Sequence, residues 1–194
     1  MTVRNITRVY RQADHDTRAR DWYSDAYSLA ADLGLHYGTS GDTVAAVIAA
    51  TSPINSWAGN LAITERILSE HSQGRTVTSG YLSVGLDKAA RLLAGEEPTA
   101  VLTGPKVCNF YLAIASAGTD PTAVVIDRHA WDIYTNTRGN KLSITPKRYR
   151  EAADAYRRAA KILGTTPSRV QSVTWTTWRR RYWAEGAFDP KNSS

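Results

Sequence analysis

Two short stretches hold the residues best suited to chemistry. Leu102-Thr103-Gly104-Pro105-Lys106-Val107-Cys108-Asn109 reads as a tight turn entering a helix. Pro105 suits a first helical position, which puts Lys106 in the first turn. Val124-Val125-Ile126-Asp127-Arg128-His129 reads as an apolar run delivering one carboxylate to the start of the next helix. The positive end of a helix dipole disfavours a cation. A lysine there either meets an anion such as phosphate or serves as an amine nucleophile, as Schiff-base chemistry requires. The plain alternative is an exposed lysine. Asp127 fits a helix N-cap, where its oxygens satisfy free N–H groups. A capping carboxylate is rigid, so it can also activate a nucleophile or stabilise a cationic sugar transition state. His129 is a weaker candidate and reads equally as a polar core residue. The lysine–aspartate pairing suggests chemistry on a nucleic-acid base.

The chain has 194 residues, of which 42% are hydrophobic. That suits one domain over residues 1–185, in one body or two lobes, followed by a frayed tail at 186–194. No apolar run approaches the roughly 18 residues that span a bilayer, and no apolar signal segment follows Met1. One cysteine, Cys108, excludes an internal disulfide and a cysteine-built zinc or iron–sulfur site. The expectation is a cytoplasmic monomer with no membrane partner, no metal and no cofactor. The net charge of +6 is unevenly placed. From Arg138 onward 13 lysines and arginines face 4 acidic residues, a balance of +9; before it 11 face 14, a balance of −3. A basic C-terminal third suits a polyanion. Trp175, Trp178 and Trp183 interleave with Arg179-Arg180-Arg181, combining stacking surface with phosphate-binding charge.

Almost every segment carries helical periodicity. Helices are expected over 16–34, with Gly34 as a stop, over 42–51 behind Asp42 or Gly41, and from about Asn55 to Ser69. Others are expected over Leu86 to Leu93, in a helix-turn-helix unit from Pro98 to Ala115, and over 128–136. Pro146 opens an amphipathic helix with Ala152, Ala155, Tyr156, Ala159, Ile162 and Leu163 on its apolar face, ended by Gly164. The last helix runs from Thr166-Pro167-Ser168 to near Trp183. Val77 to Val84 has room for one short strand. Trp175, Trp178 and Tyr182 share a face that reads first as core, and the arginine triplet reads as a solvated face unless it borders a cleft. The class is all-α.

Lys106-Val107-Cys108-Asn109, followed 21 residues after the lysine by Val-Ile-Asp-Arg-His, resembles the helix-hairpin-helix DNA glycosylases of the endonuclease III type. There a Leu-Pro-Gly-(Val)-Gly hairpin leads to a catalytic lysine, and a later Val-Asp-Thr-His supplies the aspartate. Val44 to Asn60 is similar to that family's early DNA-facing helix. The resemblance spans roughly residues 20–183. It implies a two-lobed helix-hairpin-helix fold, with Lys106 as imine-forming nucleophile and Asp127 as its activating carboxylate. It makes Thr103, Gly104 and their neighbours a phosphate-holding hairpin, and sets Ser52, Asn55 and Trp57 at the DNA-facing mouth. Arg128, Arg179 and Arg180 complete the expected DNA contacts, and His129 the catalytic set. The hairpin is about two residues shorter than the family pattern and lacks its second glycine. Gln171, Trp175, Trp178 and Arg179 also resemble the ending of short actinobacterial-phage proteins. A more distant resemblance is to phage enzymes that attach an amine or amino acid to an activated 5-hydroxymethyl pyrimidine. The implied activity is a DNA glycosylase, with or without abasic-site lyase activity. The alternatives are base modification on the same fold and a catalytically silent DNA-binding module.

Overall fold

The computed structural model describes residues 2–139 and 143–182; Trp183 and the expected tail lie outside them. Its elements, in order, are α1 (Thr2–Gln12), α2 (His15–Ala19), α3 (Trp22–Tyr37), α4 (Gly41–Ala50), α5 (Trp57–Ser72), α6 (Ser83–Leu93), α7 (Pro98–Val101), α8 (Pro105–Ala115), α9 (Arg128–Thr135), α10 (Pro146–Leu163) and α11 (Pro167–Tyr182). The described residues are helical with no strand, so the chain is all-α. None of these helices is long and apolar enough to cross a membrane.

Buried side chains form two clusters. The first centres on α4, where every residue from Val44 to Ala50 is buried. A helix apolar all round must be enclosed, and α4 packs against α3, α6 and α8. The alanines of α4, its Gly41 and Gly34 of α3 allow close approach. A Cβ on Gly34 would lie 2.8 Å from the Gly41 nitrogen, and one on Gly41 would lie 2.9 Å from the Ala31 Cα. Gly34 therefore serves helix crossing rather than helix termination. α3 continues to Tyr37 and ends on Gly38, whose φ of 71° suits a glycine cap. The second cluster gathers α1, α9, α10 and α11 around Tyr156, with Ile6, Val124, Ile126 and Ile133.

Several expected boundaries shift for local reasons. The expected 16–34 helix is two. α2 ends at Arg20, in an extended conformation, and Asp21 restarts the chain by accepting from the Ser24 N–H at 3.3 Å. Ser40, not Asp42 or Gly41, caps α4. No strand forms over Val77 to Val84: Gly80 turns the chain at φ 83°, Tyr81 donates to the Pro53 carbonyl at 2.7 Å, and α6 begins at Ser83. A lone extended run has no neighbour to complete its ladder.

Candidate active site

The site begins with the turn between α7 and α8. Leu102 is buried and anchors it. Gly104 caps α8 with φ −74°, a conformation open to any residue, and a Cβ there would meet nothing within 4 Å. The first-turn N–H groups of α8 have no side-chain cap, so their approach is open. Thr103 and Lys106 are exposed.

Two side chains tie this turn to the run that delivers Asp127. Asn109 donates from Nδ2 to the Pro105 carbonyl at 2.7 Å, while its Oδ1 accepts from the Val124 N–H at 3.1 Å. The buried Tyr149 hydroxyl accepts from the Ile126 N–H at 3.3 Å and lies 2.9 Å from the Val124 carbonyl and 3.2 Å from that of Pro105. Burial raises its phenol well above the ordinary range, so it stays protonated and can donate. Tyr149→Phe would leave these buried backbone groups short of a partner, and we expect a loss of about 1–3 kcal/mol by urea unfolding. An unchanged midpoint would mean the hydroxyl contributes nothing to holding the two segments together.

Asp127 caps α9, accepting from the Ala130 N–H at 2.8 Å on Oδ1. Its Oδ2 accepts from the Trp175 indole N–H at 2.9 Å. The Arg179 guanidinium stands over the same indole, 5.0 Å from the ring centroid, within cation–π range. His129 meets that ring edge-on, at 5.7 Å between centroids.

Asp127, Trp175 and Arg179 border a cleft of about 270 Å³. Lys106, Asp127, Ser52, Asn55, Trp57 and Arg179 all line it, joining six of the residues singled out in the sequence. Thr103, Gly104, Arg128, His129 and Arg180 do not line it. Arg128 is exposed at the start of α9. Arg180 donates to Asp14 at 3.0 Å and Thr17 at 2.6 Å, and Arg181 reaches Gln12 at 3.3 Å. The arginine triplet thus fans out instead of forming one solvated face. Among the described residues no group of three or more His, Cys, Asp or Glu side chains is arranged to hold a metal.

Sequence reasoning missed the aromatic lining and Gln171. Trp22, Tyr23 and Phe110 join Trp57 and Trp175 in the cleft. The Trp22 and Phe110 rings lie 25° from parallel with centroids 6.0 Å apart, and Trp22 meets Trp57 edge-on at 4.8 Å. The cleft stripe on α11 is Gln171, Trp175 and Arg179, spaced by four, a pattern present in the sequence. Trp178 and Tyr182 turn to the second cluster instead, their rings 4.5 Å apart. The single core face expected for Trp175, Trp178 and Tyr182 is therefore divided.

Desolvation lowers the His129 pKa below its ordinary value of 6.5, and the Arg179 and Arg128 charges act the same way, while Asp127 and Asp132 oppose it. A base whose folded pKa is depressed stabilises the fold above the unfolded pKa, and that contribution is lost as pH falls. Urea midpoints should drop as pH falls from about 7 through 6.5, and the drop should be smaller in His129→Gln. Equal slopes in the two proteins would assign the pH dependence elsewhere.

No curated protein and no solved structure matches the chain. The family of unknown function DUF7178 matches residues 1–182, and the chain belongs to that family.

Proposed function

We propose that this protein is a DNA glycosylase acting on a base turned out of the duplex into the cleft. The observation that carries the reading is that Lys106 and Asp127, on separate elements, line one aromatic cleft. Turning out a base costs a few kcal/mol of stacking and pairing, which aromatic side chains recover by stacking. The open N-terminus of α8, with Thr103 and Gly104 before it, offers N–H groups to a backbone phosphate. Ile54 stands between the cleft-lining Ser52 and Asn55, 89% exposed and held at φ 56°, a strained conformation for a β-branched residue. An exposed apolar side chain beside a base pocket suits entry between base steps.

In this mechanism the Asp127 carboxylate stabilises positive charge developing on the sugar as the glycosidic bond breaks. The bond's electron pair leaves with the base. Either water or the neutral Lys106 amine forms the new bond to C1′. Attack by lysine releases a proton and, after sugar ring opening, leaves an imine between Nζ and C1′.

Borohydride reduction in the presence of duplex oligonucleotides bearing varied modified or damaged bases tests this directly. A trapped covalent complex supports a glycosylase with lyase activity, and base release without trapping supports a water-dependent glycosylase. A changed base mass with the strand intact would replace the reading with base modification. Binding with no chemistry on any base would reduce the protein to a DNA-binding module.

A further inference from the structure

We propose that Gln171 reads the edge of the cleft's ligand, and that this ligand is a keto-type nucleobase presenting a ring carbonyl. The inference rests on the glycosylase reading only for how the base arrives. Gln171 is 6% exposed and lines the cleft from α11. The buried Tyr23 hydroxyl donates to its Oε1 at 2.9 Å. Burial, reinforced by the Asp127 charge, holds the Tyr23 phenol well above its ordinary range, so it stays protonated and able to donate. In this hydrogen bond Oε1 is the end of the amide that faces Tyr23. The other end, Nε2, makes no hydrogen bond with any described residue. Nε2 is not among the side-chain nitrogens sealed away from solvent without a partner, so it is open to a ligand from the cleft that Gln171 lines.

A fixed N–H donor selects an acceptor. The aromatic side chains lining the cleft, Trp22, Trp57, Phe110 and Trp175 among them, favour a planar ring. At about 270 Å³ the cleft lies just below the usual range of roughly 300–1,000 Å³ for small-molecule sites, which suits one base better than an extended cofactor. A planar ring whose edge offers a carbonyl oxygen meets all three requirements. Tyr23 acts through Gln171 and is a positioning residue.

Thymidine can be compared with its 2,4-difluorotoluene isostere, which keeps the shape while replacing both carbonyls with C–F and the ring N–H with C–H, the Gln171 variant then isolating the part of the preference that Gln171 supplies. Each is titrated as the free nucleoside, followed by tryptophan fluorescence, and within a duplex opposite guanine. Wild type should prefer thymine by about fivefold to tenfold, the range one hydrogen bond supplies. Gln171→Leu should bind both equally. Tyr23→Phe keeps the packing but frees the amide to rotate, so the preference should at least halve; it decides the matter if Gln171→Leu does not fold. A carbonyl preference with free nucleosides but no duplex binding supports the Gln171 assignment and removes the DNA reading. Duplex binding indifferent to the carbonyl, or a preference that survives both substitutions, overturns the assignment and leaves the DNA reading standing. Absence of binding in both formats overturns both.

Discussion

Lys106→Ala should reduce borohydride trapping to background while leaving the fold intact. Lys106 is exposed, lies in the first turn of α8 and makes no ion pair with any described residue. A cation near the positive end of a helix dipole is mildly unfavourable, so its removal should cost almost nothing and can add a few tenths of a kcal/mol. Trapping is different because it requires an amine at C1′. Lys106 is the one lysine lining the cleft among the described residues, so no nearby amine can replace it. Base release distinguishes the two routes of attack: a water-dependent enzyme keeps part of its rate in Lys106→Ala, whereas an enzyme committed to the imine loses it. Trapping at the wild-type level in the variant would show that another amine reaches the sugar, and the shortened hairpin would then be aiming α8 away from the reacting carbon.

The parts of this site that were legible in the sequence are those written locally. Asp127 as a cap, Pro105 opening the lysine helix and Gly164 closing α10 each depend on a few neighbouring residues, and the structure has all three. α4 was legible because its apolar residues run almost unbroken. α1 was missed although Val3, Ile6 and Val9 are spaced by three, because an N-terminal segment with many arginines reads as polar before its burial partners are known. The α2–α3 break was missed because the apolar spacing continues through it, while Arg20 and Asp21 interrupt only the backbone. What no local pattern carried is the pairing of distant side chains. Tyr23 and Gln171 are 148 positions apart, Asp127 and Trp175 are 48, and Tyr149 reaches back 44 residues to Pro105. Periodicity can say that a residue is buried; it cannot say which polar atom it will meet. Trp175 shows the difference: a tryptophan at helical spacing reads as core, and its role beside Asp127 emerges only when α11 packs against α9.

That contact sharpens the outcome expected for Asp127→Asn. As a cap alone, asparagine replaces aspartate at a cost of no more than about 1 kcal/mol. Here, however, both carboxylate oxygens accept from N–H donors, Ala130 on one side and Trp175 on the other. Asparagine has one acceptor oxygen, so its NH₂ must face one of those donors. The cost should therefore rise to about 1–3 kcal/mol. Adding Trp175→Phe removes the second donor, so Asp127→Asn should destabilise the Trp175→Phe protein less than it destabilises wild type. Catalysis should not follow that pattern. If the negative charge stabilises the sugar cation, base release falls by about 10²–10³ in Asp127→Asn and is not recovered by the Trp175→Phe background, even though stability is partly regained. Stability by urea titration and single-turnover base release, measured on the same four proteins, separate the two roles. A folded Asp127→Asn protein that releases base at the wild-type rate would make Asp127 a helix cap and nothing more. Recovery of rate in step with recovery of stability would make its contribution to catalysis one of geometry, with the carboxylate serving to hold α9 and α11 together beneath the cleft.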